Sequence, residues 1–167
     1  DELPDYVTAI SDLAYEELKG IGFKEEQIFK IGNPAYIRLN NINYTAKFSK
    51  SPRILFTSQG GKGNKSHEEL VDFLDNCISE FDKRFIDYKI DIKLHPMEEE
   101  LRGTWDETIL KNGWKCNLLE VPTSIDFLTE YIIQYDLLIG LYSTLQVQGQ
   151  LLGIPSIFEG GNLKDCM

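Results

Sequence analysis

Histidine occurs twice in this chain, and one copy, His95, stands directly before Pro96 at the end of the apolar run YKIDIKL. An imidazole held at a strand's end can donate to a phosphate oxygen or steady a leaving group. Pro96 favours an extended conformation before it and prevents direct entry into a helix, so the ring would stay at that edge. A lone histidine also serves well as a cap or packing group. The second candidate is Ser143-Thr144, between DLLIGLY and LQVQGQLL. Two hydroxyls beside the free N–H groups of a helix start make an anion site. Ordinary N-capping accounts for one of them but not obviously for both.

The third stretch, TSQGGKGNKSHEE, is rich in glycine, which lets backbone approach a ligand, and Lys62 and Lys65 add positive charge. It fits no named phosphate motif. Ser66 stands where a dinucleotide fingerprint needs its third glycine, and Asn64-Lys65-Ser66 replaces the Gly-Lys-Ser of the Walker pattern. A capping box of Ser66 with Glu69 explains the end of the stretch equally well, and the two readings are compatible.

These residues need a scaffold, and the periodicity supplies one. A short strand at YVTAIS is followed by a helix from Ser11 to about Gly20, then a strand at QIFKIGNP. A polar connector follows. Then come strand RILFTS, the glycine loop, and a helix with Leu70, Phe73, Leu74, Cys77, Ile78 and Phe81 on one face. Strand YKIDIKL, a helix around WDETILKN, strand KCNLLEV, helix SIDFLTEYIIQY, strand DLLIGL, helix STLQVQGQLL and strand PSIF complete the chain. Strands alternating with helices imply an α/β domain with a mostly parallel sheet, whose ligands bind outside the carboxyl ends of the strands. His95 lies at such an end. The run Met97 to Glu100 reads as a solvated helix start, Trp105 and Trp114 as core or domain-interface residues, and Tyr135 and Tyr142 receive no role.

The 167 residues suffice for one ordinary domain, and 42% hydrophobic with 26% charged residues is the composition of a soluble globular chain. A net charge of -10 argues against general nucleic-acid binding, so a phosphate site must be a local basic pocket. The chain opens on DELPDY without an initiator methionine and reads as a piece of a longer protein. No apolar run is long enough to span a bilayer. Cys77, Cys116 and Cys166 are odd in number and lack metal-ligand spacing, which reads as reduced cytosolic thiols; no metal site stands out.

KLHP at one strand end, followed by DLLIGLYSTLQVQGQLLGIPSIF, resembles the C-terminal domain of GT-B fold glycosyltransferases. The nearest flavour is that of bacterial capsule-polysaccharide enzymes, sialyltransferases and CDP-glycerol glycerophosphotransferases. AISDLAYEELKGIGFKEEQIFKIGNP is similar to the crossover that enters that domain. The resemblance implies a Rossmann-like three-layer α/β domain, one half of a GT-B fold. Residues 1–50 would form the crossover and linker, residues 51–167 the nucleotide-sugar domain, and the N-terminal acceptor domain would be absent.

By that resemblance, His95 and Pro96 contact the donor phosphate, His95 acting catalytically, and Ser143 and Thr144 hold the same group. Gly60, Gly61 and Lys62 bring the loop to the diphosphate. Many relatives carry a glutamate for ribose or sugar hydroxyls where this chain has Gln148, which keeps hydrogen bonding without the charge. The implied function is donor binding in a nucleotide-sugar-dependent glycosyltransferase of cell-surface polysaccharide synthesis, inactive without its N-terminal domain. The implied substrate is a CMP-, CDP- or UDP-linked sugar, with no tightly bound cofactor. The implied partners are that missing domain and a glycan acceptor, not nucleic acid. The implied location is cytoplasmic, with any inner-membrane contact left to the missing part. Two rivals share the architecture. One is a nucleotide-sugar 2-epimerase or hydrolase, which tends to carry Ser-Gly-Gly and paired glutamates where this chain has STLQVQG; the other is a degenerate nucleotide-binding module.

Overall fold

The computed structural model describes residues 4–32, 39, 49–58, 66–120, 131–141 and 143–158. The chain divides into two compact units, residues 1–43 and 44–167. In the first, strand β1 (Val7–Ala9) pairs in parallel with β2 (Ile28–Lys30) through helix α1 (Asp12–Gly20). Ser11 caps α1 by accepting the Ala14 N–H at 3.0 Å. Ala9, Tyr15, Phe23 and Ile28 form this unit's own small core.

The second unit is a five-stranded sheet in the order β5-β4-β3-β6-β7, with every pairing parallel. Its strands are β3 (Arg53–Thr57), β4 (Lys89–Lys93), β5 (Cys116–Leu118), β6 (Leu137–Gly140) and β7 (Ser156–Phe158). Helix α2 (His67–Arg84) connects β3 to β4, α3 (Arg102–Asn112) leads to β5, and α4 (Thr144–Leu151) links β6 to β7. Most of the helix expected at SIDFLTEYIIQY falls outside the described residues.

The apolar stripe of α2 sets the main core. Leu70, Leu74, Cys77 and Phe81 are buried against Ile54, Phe56, Ile90, Ile92 and Trp105, with Phe73 and Ile78 packed at the margin. Each large apolar side chain so buried contributes about 1.5–3 kcal/mol. Leu55 and Leu138, which alternate to the sheet's other face, are also fully buried. A parallel sheet covered on both faces explains why RILFT and DLLIG are continuously apolar rather than alternating. Burial pushes the Cys77 and Cys116 thiols up to about 12, which leaves both unreactive near neutral pH.

The chain leaves β3 in one direction toward β4 and β5, then returns to the other side of β3 for β6 and β7. In open parallel sheets ligands bind outside the carboxyl ends of the strands at such a reversal of strand order, here between β3 and β6. The glycine-rich segment follows β3, and Ser143 follows β6.

Candidate functional site

His95 sits two residues beyond β4, whose last residue, Lys93, is in register with Thr57 of β3. Its backbone is extended, with φ -65° and ψ 144°, and it caps a 3-10 turn, Pro96–Leu101, with proline in the first position. The Met97 N–H donates to His95 Nδ1 at 3.2 Å. A ring nitrogen that accepts carries no proton, so the neutral imidazole bears its hydrogen on Nε2 and offers that N–H as a donor.

Around it the polar groups are interlocked. Ser58, directly after β3, donates its backbone N–H to the Lys93 carbonyl at 3.0 Å. Its hydroxyl donates to Glu98 Oε2 at 2.5 Å, and the same oxygen accepts the His95 N–H at 3.1 Å. Glu98 is 2% exposed. This corrects the expectation of a solvated charge run: three of its members are exposed, whereas Glu98 turns inward because Ser58 and His95 supply donors for its carboxylate. Lys93 contributes a further positive group, its Nζ donating to the Leu94 carbonyl at 3.1 Å. Burial depresses its pKa, against an opposing pull from Glu98.

On the other side of β3, Ser143 is the N-cap of α4, its hydroxyl oxygen accepting the Leu145 N–H at 3.3 Å. The Ser143 carbonyl takes the N–H groups of Gln146 at 3.0 Å and Val147 at 3.3 Å. Thr144 occupies the first helical position and is exposed, so capping engages one hydroxyl of the pair. Among the described residues, no acceptor takes the hydrogen of the Ser143 hydroxyl and none bonds the Thr144 hydroxyl, both of which stand beside a helix N-terminus.

Gln148 is 7% exposed, and its side-chain carbonyl oxygen has no hydrogen-bond partner among the described residues. Sequence reasoning missed its neighbour Gln146, which is fully buried. The Gln146 Nε2 donates to the Ile157 carbonyl at 3.2 Å, while its carbonyl oxygen also lacks a partner among the described residues. Its partner on β7 is 11 positions away, so nothing within α4 signals Gln146 in the sequence. Ser58 and Lys93 were also missed, because in the sequence they look like ordinary strand-end polar residues. Gly60, Gly61 and Lys62 lie outside the described residues. The capping box that follows them is present: Ser66 accepts the Glu69 N–H at 3.3 Å and Glu69 accepts the Ser66 N–H at 2.7 Å.

Comparison with solved structures gives the same fold. The chain superimposes on the UDP co-structure of S. aureus MnaA with a TM-score of 0.66 at 16% identity, covering 92% of this chain and 42% of that one. For the Methanocaldococcus jannaschii UDP-GlcNAc 2-epimerase in complex with UDP-GlcNAc and UDP, the TM-score is 0.62 at 18% identity, covering 92% and 45%. A variant of the wall teichoic acid polymerase TagF matches with a TM-score of 0.52 at 19% identity, covering 96% and 40%. The chain therefore spans less than half the length of each of these proteins. No family model and no curated protein matches the sequence. The fold is the expected one, a Rossmann-like α/β domain of the kind that forms one half of a GT-B architecture.

Proposed function

We propose that this chain is the donor-binding domain of a nucleotide-sugar-dependent glycosyltransferase of cell-surface polysaccharide synthesis. The observation that carries the proposal is the topology. β3 lies between β4 and β6, so His95 and the Ser143-Thr144 cap follow the two strands that flank the one leading into the glycine-rich segment. Solved structures of the same fold hold UDP or UDP-GlcNAc, which supports a nucleotide-sugar ligand.

In this reading the leaving phosphate gains negative charge as the sugar departs. His95 Nε2–H, the Ser143 and Thr144 hydroxyls and the Thr144 N–H at the start of α4 meet that charge. These donors are fixed by the fold before the reaction, so little reorganisation accompanies the charge change. Gln148 pairs its buried carbonyl with a ribose or sugar hydroxyl, which relieves the cost of an unpartnered amide. Gly60, Gly61, Lys62 and Pro96 line the diphosphate. The base that activates the glycan acceptor comes from an N-terminal partner domain, without which this chain does not turn over. A cytoplasmic location, with any inner-membrane contact made by that missing part, belongs to the same proposal.

A second reading is a nucleotide-sugar 2-epimerase, the named activity of one of the structures with the higher TM-scores. Against it, STLQVQG (residues 143–149) stands where those enzymes tend to have a Ser-Gly-Gly turn and paired glutamates. The deciding experiment is a ligand-detected NMR screen with CMP, CDP, UMP, UDP, ADP and GDP, wild type beside His95→Ala. Binding of a pyrimidine nucleotide that is lost in the variant supports a donor site. Silence in the full-length parent protein as well as in this chain overturns it. Epimerised UDP-GlcNAc from the parent, without transfer to an acceptor, selects the second reading.

A further inference from the structure

Among the described residues, Glu98 is the most buried carboxylate. A carboxylate removed from water at a domain's functional edge costs free energy unless donors compensate it. A second box in the same chain serves as a reference. Ser66 and Glu69 close the same reciprocal box at the start of α2, where both residues are exposed. Capping alone therefore needs no burial here. The His95–Glu98 box differs in drawing a donor from another strand. Ser58, 40 positions away, gives its hydroxyl to Glu98 Oε2 at 2.5 Å, and its Oγ lies 3.2 Å from the His95 N–H. Those bonds fix the His95 backbone, and the fixed turn brings the Met97 N–H onto Nδ1.

We propose that Ser58 and Glu98 are positioning residues that hold His95 in one tautomer, keeping its Nε2–H available to a ligand's phosphate oxygen. The proposal rests on the reading of His95 as a phosphate donor. Glu98 accepts the Ser58 and His95 hydrogen bonds on Oε2, and the carbonyl oxygen of a glutamine can accept those two without the charge. Loss of the acceptor frees the turn, and the imidazole then shares its hydrogen between both nitrogens.

The test uses the 167-residue chain labelled with nitrogen-15. Long-range proton–nitrogen spectra of the ligand-free protein report the His95 tautomer, and titrations with UDP and CMP report affinity. Wild type should show a bare Nδ1 and a protonated Nε2. Glu98→Ala and Ser58→Ala should mix the tautomers and weaken nucleotide binding on the order of tenfold. Neither should weaken it further on a His95→Ala background, because both act through that ring. Glu98→Gln should recover most of the loss. A wild-type tautomer in both alanine variants, or losses that add to that of His95→Ala, overturns the proposal. If Glu98→Ala does not fold, Ser58→Ala carries the test. If wild type binds neither nucleotide, the affinity comparison moves to the full-length parent, whose silence overturns the proposed function, while the ligand-free spectra of this chain still decide whether Ser58 and Glu98 set the tautomer.

Discussion

Tyr135 donates its hydroxyl to Asp91 at 2.9 Å, joining the segment before β6 to the middle of β4. Asp91 is 6% exposed and also receives Arg53 Nη2 at 3.2 Å and Asn117 Nδ2 at 3.0 Å. One carboxylate on β4 thus collects groups from β3, β5 and the approach to β6. Arg53 is bound to the same place by its backbone N–H, which donates to Asp136 at 2.8 Å. Burial pushes the Tyr135 phenol far above its ordinary pKa, with Tyr131 and Asp91 adding to the shift.

Tyr135→Phe removes one donor from this buried acceptor without changing its bulk. An acceptor deprived of a partner in low dielectric costs about 1–3 kcal/mol. The midpoint of urea unfolding should fall accordingly, with the unfolding slope unchanged. A variant as stable as wild type would show that Arg53 and Asn117 suffice to hold Asp91.

Two glycines mark where elements approach most closely. A Cβ on Gly140, at the end of β6, would lie 2.6 Å from the Thr57 carbonyl and 2.5 Å from its hydroxyl. Thr57 is its register partner on β3, so backbone of a central strand would have to move. Gly149 in α4 would meet Leu138 Cδ1, the end of a side chain that can rotate, and alanine is the better helix former. Gly140→Ala should therefore destabilise by about 1–3 kcal/mol, and Gly149→Ala by less. Thermal unfolding of the two variants side by side checks the order, and the reverse order contradicts this packing.

What could be read in advance divides by range. The Ser66–Glu69 box and the stripe of α2 lie within one helix, and the parallel sheet shows as strands alternating with helices, so local spacing reveals all three. Glu98 does not. Its burial comes from Ser58, and in the sequence MEEE is indistinguishable from a surface turn. The Asp91 cluster is hidden for the same reason, since Tyr135 is 44 positions away from it. Gln146 and Gly140 likewise acquire meaning through β3 and β7, which periodicity within α4 or β6 cannot convey.

His67 carries a pH signature. Its Nε2 lies 3.2 Å from Thr108 Oγ1, whose hydroxyl donates to the Thr104 carbonyl at 2.8 Å, so Nε2 holds the ring's hydrogen. Nδ1 is buried without a partner among the described residues, and the Trp105 ring stands edge-on with centroids 4.7 Å apart. Burial lowers the His67 pKa below 6.5, partly offset by Glu98 and Glu68. As pH falls below that value the unfolded chain takes up a proton before the folded one does. The stability present above the unfolded pKa is therefore lost as pH falls toward and through the folded value. Urea midpoints measured from about pH 8 to about pH 5 should decline in wild type, and His67→Asn should flatten that part of the curve. Equal slopes in the two proteins would assign the decline to other groups.

The Ser143-Thr144 pair separates folding from binding. Ser143 is engaged in the cap of α4, so Ser143→Ala should cost about 0.5–2 kcal/mol of stability and also weaken nucleotide binding. Thr144 is exposed at the first position of α4, and no described residue bonds its hydroxyl. Thr144→Ser keeps the hydroxyl, while Thr144→Val removes it and retains the branched shape. Thr144→Val should leave the melting temperature in place and weaken binding of a pyrimidine nucleotide, by about three- to tenfold for one lost hydrogen bond. Thr144→Ser should bind like wild type. Calorimetric titration with melting curves on the same samples measures both quantities. A Thr144→Val protein with wild-type affinity would reduce the site on this side to the capping serine and the helix N-terminus, because the second hydroxyl would then have no work that folding or binding requires of it.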